Sequence, residues 1–363
     1  MVYNAIVKPI LFSLDPEQAH EVMKEVSRLA NVPLLSRLLQ RLYLHNDPRL
    51  ATTVAGLSFR NPIGLAAGFD KNADLVGVCT ALGFGHLELG TVTGRAQPGN
   101  PRPRIFRLPA DRALINRMGF PSEGADMLRD RLALLRGRLT HLPPLGINIG
   151  KSKEVDIESA VDDYLYSFTK LAPLADYIAV NVSSPNTQNL RQLQDRERLS
   201  LILSRIQAAN TAAVPVFVKV APDLTWAALE DAIECCLECR VAGIIATNTT
   251  LGRGGVTTVI DQAGGLSGAP LKERALEVVR FLGERINGRL ALIGVGGVAH
   301  AEDLLAMLAA GASLVQVYTG LVYGGPGLVQ KILQDLSAFM DRTHCSSLAD
   351  AAQAWRDSSQ RAA

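Results

Sequence analysis

A chain of 363 residues that is 48% apolar can bury one large core, so its length admits either a barrel with an appendage or two ordinary domains. Lys plus Arg number 37 against 35 for Asp plus Glu, a near-neutral balance that gives no electrostatic reason to expect nucleic acid as a partner and leaves a small molecule open. The five cysteines, Cys79, Cys235, Cys236, Cys239 and Cys345, lack a disulfide-framework pattern and favour a reducing compartment, with the cytosol as default.

The N-terminus has no charged-apolar-small signature of a signal peptide, and no run approaches the ~18 uninterrupted apolar residues a spanning helix needs. Asp15-Pro16-Glu17-Gln18 reads as a helix start, with Asp15 as N-cap, Pro16 at the first helical position and Gln18 placed to close a capping box. That helix is expected to run through about Leu29. After Pro33, the residues Leu34, Leu35, Leu38, Leu39 and Leu42 make one apolar stripe with Arg37 and Arg41 elsewhere on the wheel. Amphipathicity alone favours a helical pair packed on the rest of the protein; the alternative is a surface that dips into a membrane interface.

Leu50–Arg60 is expected to form a short hairpin closing a barrel floor. From residue 61 onward, short apolar runs recur with helix-length segments between most of them: Pro62–Gly68, His86–Thr93, Leu145–Gly150, Tyr177–Ser183, Pro215–Ala221, Gly243–Thr249, Ala291–Val298 and Leu314–Thr319. Near-continuous apolar runs are what parallel strands covered on both faces look like, and eight of them predict an α/β fold, a (β/α)8 TIM barrel with a small N-terminal helical domain. The rival, an open doubly wound sheet, would place a Gly-rich G-x-G-x-x-G turn after its first strand, and none follows Pro62–Gly68. Each run instead ends on polar or glycine residues, which a barrel gathers on one face.

The boundaries predicted are residues 1–45 for the helical domain, 46–340 for the barrel and 341–363 for a C-terminal helix or tail. Gln97–Arg107 is an excursion in which Pro98, Pro101 and Pro103 forbid helix, so it reads as loop ending in an extended piece at Ile105–Arg107. Cys236 and Cys239 have C-x-x-C spacing, but no second pair or histidine lies nearby, and they read as the buried face of a helix rather than a metal site.

Asn181 to Thr187, N-V-S-S-P-N-T, leaves the fourth run, passes two serines and halts at Pro185. A plain turn could use these letters, yet two asparagines bracketing a serine also suit a planar ligand rich in C=O and N–H groups. Gly296 and Gly297 after the seventh run, with Tyr318-Thr319-Gly320 ending the eighth, are placed where barrels bind phosphate through backbone N–H groups. Lys219 sits inside the apolar run Val216–Val220, where an ammonium needs an anionic partner. A salt bridge would serve, and so would a reduced flavin ring, whose negative charge a fixed cation stabilises. Lys71 poses the same question for a substrate carboxylate or a flavin oxygen.

The stretches Ala66–Lys71, Gln97–Arg104, Asn116–Phe120, Asn181–Thr187, Ala246–Thr250, Gly294–Gly297 and Tyr318–Gly320 together resemble the class 2, quinone-dependent dihydroorotate dehydrogenases of pyrimidine biosynthesis. Asp15 to His20 resembles that family's N-terminal helical domain. The resemblance implies FMN across the barrel mouth, touched by Ala67, Gly68, Thr91, Asn148, Asn181, Lys219, Thr247, Gly268, Gly297, Tyr318 and Thr319. It implies that Lys71, Asn116, Arg117, Met118, Gly119, Phe120, Asn181, Asn186, Asn248 and Thr249 hold dihydroorotate or orotate, and that His20, Arg107 and Tyr318 lie near the head of a ubiquinone or menaquinone. It also implies a peripheral protein on the cytoplasmic face of the cell membrane, reached through the N-terminal helices. One departure is Gly94 with Ala96, where the family pattern has prolines.

Oxidising dihydroorotate removes a proton from one ring carbon and a hydride from its neighbour, so a base must face the flavin across the substrate. The resemblance makes Ser184 that base, although a hydroxyl titrates far above neutral pH. Soluble relatives that reduce fumarate or NAD have cysteine there, and none of the five cysteines lies in this loop. Two competing readings are another phosphate-binding barrel enzyme in which Lys219 forms a Schiff base, and a barrel that only binds.

Overall fold

The structure is a computed structural model that describes residues 3–29, 33–139 and 141–362. A short π-helical turn, Tyr3–Val7, leads into α1 (Lys8–Ser13), then α2 (Pro16–Leu29) and α3 (Pro33–Tyr43). Asp15 caps α2, its Oδ1 accepting from the backbone N–H of Glu17 at 2.9 Å and of Gln18 at 3.3 Å. The π-turn and α1 fall in a segment where no helix was expected. A two-stranded hairpin follows, β1 (Thr52–Val54) with β2 (Leu57–Phe59).

All eight expected runs are strands of one closed parallel barrel. In order around it stand β3 (Ile63–Leu65), β4 (His86–Val92), β7 (Leu145–Ile149), β8 (Tyr177–Asn181), β9 (Val216–Val220), β10 (Gly243–Ala246), β12 (Ala291–Val295) and β13 (Leu314–Val317). Every strand is buried almost throughout, which is why the runs are apolar without alternation. Residues such as Leu87, Leu89, Ile147 and Val180 point outward to the helices, while Tyr177, Ala179, Phe217, Ile245 and Ile293 fill the interior. Outside lie α4 (Val76–Ala81), α5 (Ala125–Arg138), α6 (Ala160–Leu171), α7 (Arg196–Ala209), α8 (Trp226–Glu238), α9 (Lys272–Ile286), α10 (Ala301–Ala309), α11 (Thr319–Gly324) and α12 (Leu328–Thr343). Cys235 and Cys236 are buried on α8 and Cys239 ends it half-buried; among the described residues no cluster of three His, Cys, Asp or Glu is placed to hold a metal.

The expected extended piece after Gln97 is β5 (Ile105–Leu108), and it belongs to a sheet that the sequence did not suggest. It pairs antiparallel with β6 (Ala113–Asn116), which pairs in turn with β11 (Gly265–Gly268). At the C-terminus, residue 341 falls inside α12, and the segment expected to be a helix or tail contains helix α13 (Leu348–Ala362). Ala351 and Ala352 bury against the barrel's helices, and Trp355 meets the Phe339 ring edge-on at 5.9 Å.

The hairpin seals the N-terminal end of the barrel. Phe59 there meets the His86 ring edge-on at 5.5 Å, and both His86 nitrogens are buried with no protein partner. Burial pulls the His86 pKa from its ordinary 6.5 to about 4, opposed only in part by Glu88. The unfolded chain therefore binds this proton below about pH 6.5 and the folded one only near pH 4, so stability is full at neutral pH and falls across that window. Unfolding of His86→Phe, a shape-conserving change, should show a gain over wild type that grows by about 3 kcal/mol between pH 7 and pH 4. A gain of constant size would contradict the neutral assignment.

Candidate active site

At the C-terminal end of the barrel the strand ends converge on a cavity of about 1100 Å³, part of it open to solvent. Ten of the eleven residues expected around a flavin border it: Ala67, Gly68, Thr91, Asn181, Lys219, Thr247, Gly268, Gly297, Tyr318 and Thr319. Asn148 does not. It lies wholly buried behind the wall, where its Oδ1 accepts from Thr91 Oγ1 at 2.6 Å and from Asn181 Nδ2 at 3.0 Å. Its role there is to fix the two residues that do reach the cavity.

Lys71, Asn116, Met118, Gly119, Phe120, Asn181, Asn186, Asn248 and Thr249 also border the cavity, as does Ser184. Arg117 points away, stacked on Phe106 at 4.7 Å and donating to Gln262 Oε1 at 2.7 Å and the Pro103 carbonyl at 3.0 Å. The remaining amides hold one another: Asn186 Nδ2 donates to Asn116 Oδ1 at 3.1 Å, and Asn248 Nδ2 to Ser183 Oγ at 3.0 Å. Ser184 is buried, and its Oγ accepts from the backbone N–H of Asn186 at 3.3 Å. Arg191, which no sequence motif had singled out, clamps the serine loop by donating to the carbonyls of Ser183 at 3.1 Å and Thr249 at 3.0 Å.

One wall is lined by glycines that leave no room for a side chain. Gly296 and Gly297 have φ of +136° and +71°, and a Cβ on Gly297 would sit 2.4 Å from that of Lys272. A Cβ on Gly320 would be equally cramped, 2.3 Å from the Val298 carbonyl oxygen. Thr319 Oγ1 is held by Ser267 Oγ at 2.8 Å, so the small sheet braces this corner.

Lys219 has its anionic partner in the protein. Glu88, fully buried in β4, lies 3.3 Å from the ammonium, so the salt bridge exists although Lys219 also borders the cavity. Glu88 Oε2 further accepts from Gln316 Nε2 at 2.6 Å, which leaves Gln316 Oε1 buried at the cavity wall without a protein partner. Lys71 Nζ donates to the Gly68 carbonyl at 2.7 Å. Burial draws its pKa down to about 8 against the upward pull of Glu17, with Arg104 and Lys24 adding to the fall.

A second cavity, about 2280 Å³ with its opening, lies between the barrel mouth and α1–α3. His20, Arg107 and Tyr318 all border it. Leu35 and Leu39 of the α3 stripe face it, while Leu38 and Leu42 are exposed and the Leu34 side chain lies outside the described residues. Phe69 links its two ends, its ring 5.4 Å from His20 and 5.5 Å from Tyr318. Burial first, then Lys71 and Lys24, lowers the His20 pKa to about 3, so this imidazole is neutral at physiological pH. Arg107 spends its guanidinium on the carbonyls of Leu11 at 3.0 Å and Leu14 at 2.6 Å and stacks on Phe12 at 4.7 Å. Glu17 anchors α2 through Arg104 at 2.6 Å and Arg102 at 3.1 Å; burial alone would raise its carboxyl, but these cations hold it below its ordinary value.

Gly94 has a structural reason to stand where the resemblance led us to expect proline. A Cβ there would meet Asp163 Oδ1 at 2.5 Å, and that carboxylate is committed to the backbone N–H of Ser152 at 2.6 Å.

A cleft at the C-terminal mouth of a closed (β/α)8 barrel, walled by glycines, amides, the buried Lys219 and the half-buried Lys71, is where enzymes of this fold do their chemistry. Comparison with known proteins narrows that class. The dihydroorotate dehydrogenase family model matches residues 49–340. The protein named dihydroorotate dehydrogenase (quinone) in Gloeobacter violaceus is 51% identical over 338 residues, covering 93% of this chain and 95% of its own. Its counterpart in Thermobifida fusca is 48% identical over 361 residues, 97% of this chain and 96% of its own. Among solved structures, the Eimeria tenella enzyme in complex with ferulenol superposes with a TM-score of 0.85 at 36% identity, over 93% of this chain and 94% of that one. The chain belongs to the dihydroorotate dehydrogenase family, a family of oxidoreductases.

Proposed function

We propose that this protein oxidises dihydroorotate to orotate in pyrimidine biosynthesis, with FMN held across the barrel mouth and a membrane quinone as final electron acceptor. The observation that carries the reading is the join between the two cavities. Lys71, Ile105, Leu114, Met118, Pro121 and Tyr318 border both, so a ligand at the mouth and an apolar molecule under α1–α3 would meet there. Ser184, the residue type of the quinone-reducing class, agrees with the printed names of the relatives.

The residues present fit FMN. Gly296, Gly297 and Gly320 bring backbone without side chains to the cavity, a surface that suits a phosphate bound through N–H groups. Gln316 Oε1, an orphaned acceptor at the cavity wall, suits a ring bearing N–H groups, and Lys219 supplies a fixed cation. FMN, when bound, supplies the two-electron acceptor for the oxidation. The chain's own part is to hold the substrate and take its proton: the amides of Asn116, Asn186 and Asn248 supply donors and acceptors to a planar ring, and Ser184 receives the proton. Water has little access to Ser184, which is only 5% exposed.

Lys71 is the cation for the substrate carboxylate. Since its pKa in the free protein is about 8, charge is lost as pH rises through that value, and kcat/KM for dihydroorotate should fall above it through a rising KM. A KM that stays level to pH 9.5 would remove Lys71 from this role.

The helical segment forms the quinone tunnel and rests on the membrane. Ile6, Ile10, Val22, Met23, Val26, Leu38 and Leu42 expose apolar side chains on it, and no described helix is long and apolar enough to span a bilayer. This face fits peripheral attachment at the cytoplasmic side of the cell membrane. The test is a comparison of acceptors: the purified protein with dihydroorotate should make orotate with a short-chain ubiquinone or menaquinone and not with fumarate or NAD. Turnover with fumarate or NAD alone would overturn the assignment.

A further inference from the structure

We infer that Glu88 is a positioning residue that sets the charge and the hydrogen-bonding face the barrel presents to FMN; this rests on the reading of the mouth as a flavin site. Glu88 lies in mid β4, its neighbours Leu87 and Leu89 facing the outer helices and its own side chain facing the lumen. An ionised carboxylate with no exposure is costly unless every acceptor site is used. Here four donors from four other strands converge on it. Oε1 accepts from Asn148 Nδ2 of β7 at 2.7 Å and from Lys219 Nζ of β9 at 3.3 Å. Oε2 accepts from Gln316 Nε2 of β13 at 2.6 Å and from the Tyr177 hydroxyl of β8 at 3.4 Å.

Three of the four bonds have a consequence at the cavity wall. Holding the Asn148 amide nitrogen turns Asn148 Oδ1 toward Thr91 and Asn181, both of which border the cavity. Holding the Gln316 amide nitrogen leaves Gln316 Oε1 as the free acceptor. Pairing with Lys219 balances the cation, so the field that reaches the bound ring is that of an ion pair rather than a bare ammonium. None of this involves contact between Glu88 and the ligand: Glu88 itself does not border the cavity.

Glu88→Gln keeps the shape and removes the negative charge. It also puts an NH2 group where one pair of donors needs an acceptor, so either the Asn148 or the Gln316 side of the network must let go. With Lys219 less balanced, the site favours the anionic reduced ring. The ratio of dissociation constants for oxidised over reduced FMN should therefore rise about tenfold, which for a two-electron couple is a potential about 30 mV more positive.

The experiment measures the FMN reduction potential by dye equilibration, and FMN affinity by fluorescence, for wild type, Glu88→Gln, Glu88→Asp and Tyr177→Phe. The inference predicts a positive shift in Glu88→Gln, a smaller one in Glu88→Asp and none in Tyr177→Phe. If Glu88→Gln does not fold, the Glu88→Asp shift decides. An unchanged or lowered potential in holoprotein that retains FMN overturns the inference and leaves the flavin reading standing; a wild type that binds no FMN overturns both.

Discussion

Ser184→Ala should leave a yellow, folded protein whose flavin is reduced by dihydroorotate about 10²- to 10⁴-fold more slowly, the range a positioned base contributes. The structure isolates this effect well. Ser184 Oγ accepts one backbone N–H, at 3.3 Å from Asn186, so its loss removes a bond of about 1 kcal/mol and little packing. The neighbouring amides have partners of their own, Asn186 in Asn116 and Asn248 in Ser183, and the loop is clamped by Arg191. A fall in rate therefore reports the proton transfer rather than a collapsed site. Because a hydroxyl titrates far above neutrality, the wild-type rate should climb as pH rises from 7, while the alanine variant should be flat. A flat wild-type profile in stopped flow would argue for a different base.

Removal of residues 1–40 should cut quinone turnover at least about a hundredfold in kcat/KM, equivalent to about 3 kcal/mol of binding, while FMN stays bound. The walls of the second cavity supplied by Leu11, Phe12, His20, Leu35 and Leu39 would be gone, and with them the covered route to the mouth. The flavin corner would be untouched, since its glycines and lysine sit on the barrel. The cut does break contacts: Arg104 loses Glu17, and Arg107 loses the carbonyls of Leu11 and Leu14. Arg104 keeps the carbonyls of Pro98 at 2.6 Å and Asn100 at 2.8 Å, which is why the barrel loop should survive. Equal quinone turnover in the truncated protein would refute the tunnel.

What was legible in the sequence followed from burial. Strands covered on both faces must be apolar throughout, so the eight barrel runs stood out, and Lys219 stood out within one of them as a charge in need of a partner. Glu88 carries the same signal, a charge inside the run His86–Thr93, and was passed over because it lies across the barrel from Lys219 and 131 residues earlier. The small sheet was hidden for another reason. Its strands are four residues long, and β11 begins and ends with glycine, so its sequence resembles loop. Asn148 and Arg117 show the limit of residue-by-residue transfer: the resemblance put the first at the flavin and the second, inside the stretch Asn116–Phe120, at the substrate, yet one stands behind the wall and the other turns outward to Phe106 and Gln262. Only the fold says which face of a strand or loop a side chain takes.

The most direct test of the whole account is anaerobic addition of dihydroorotate to the purified protein while its visible spectrum is recorded. The account predicts a flavin spectrum that bleaches within the mixing experiment, and colour restored by quinone but not by fumarate or NAD. A protein that purifies without flavin, or whose flavin keeps its colour under excess dihydroorotate, would contradict it.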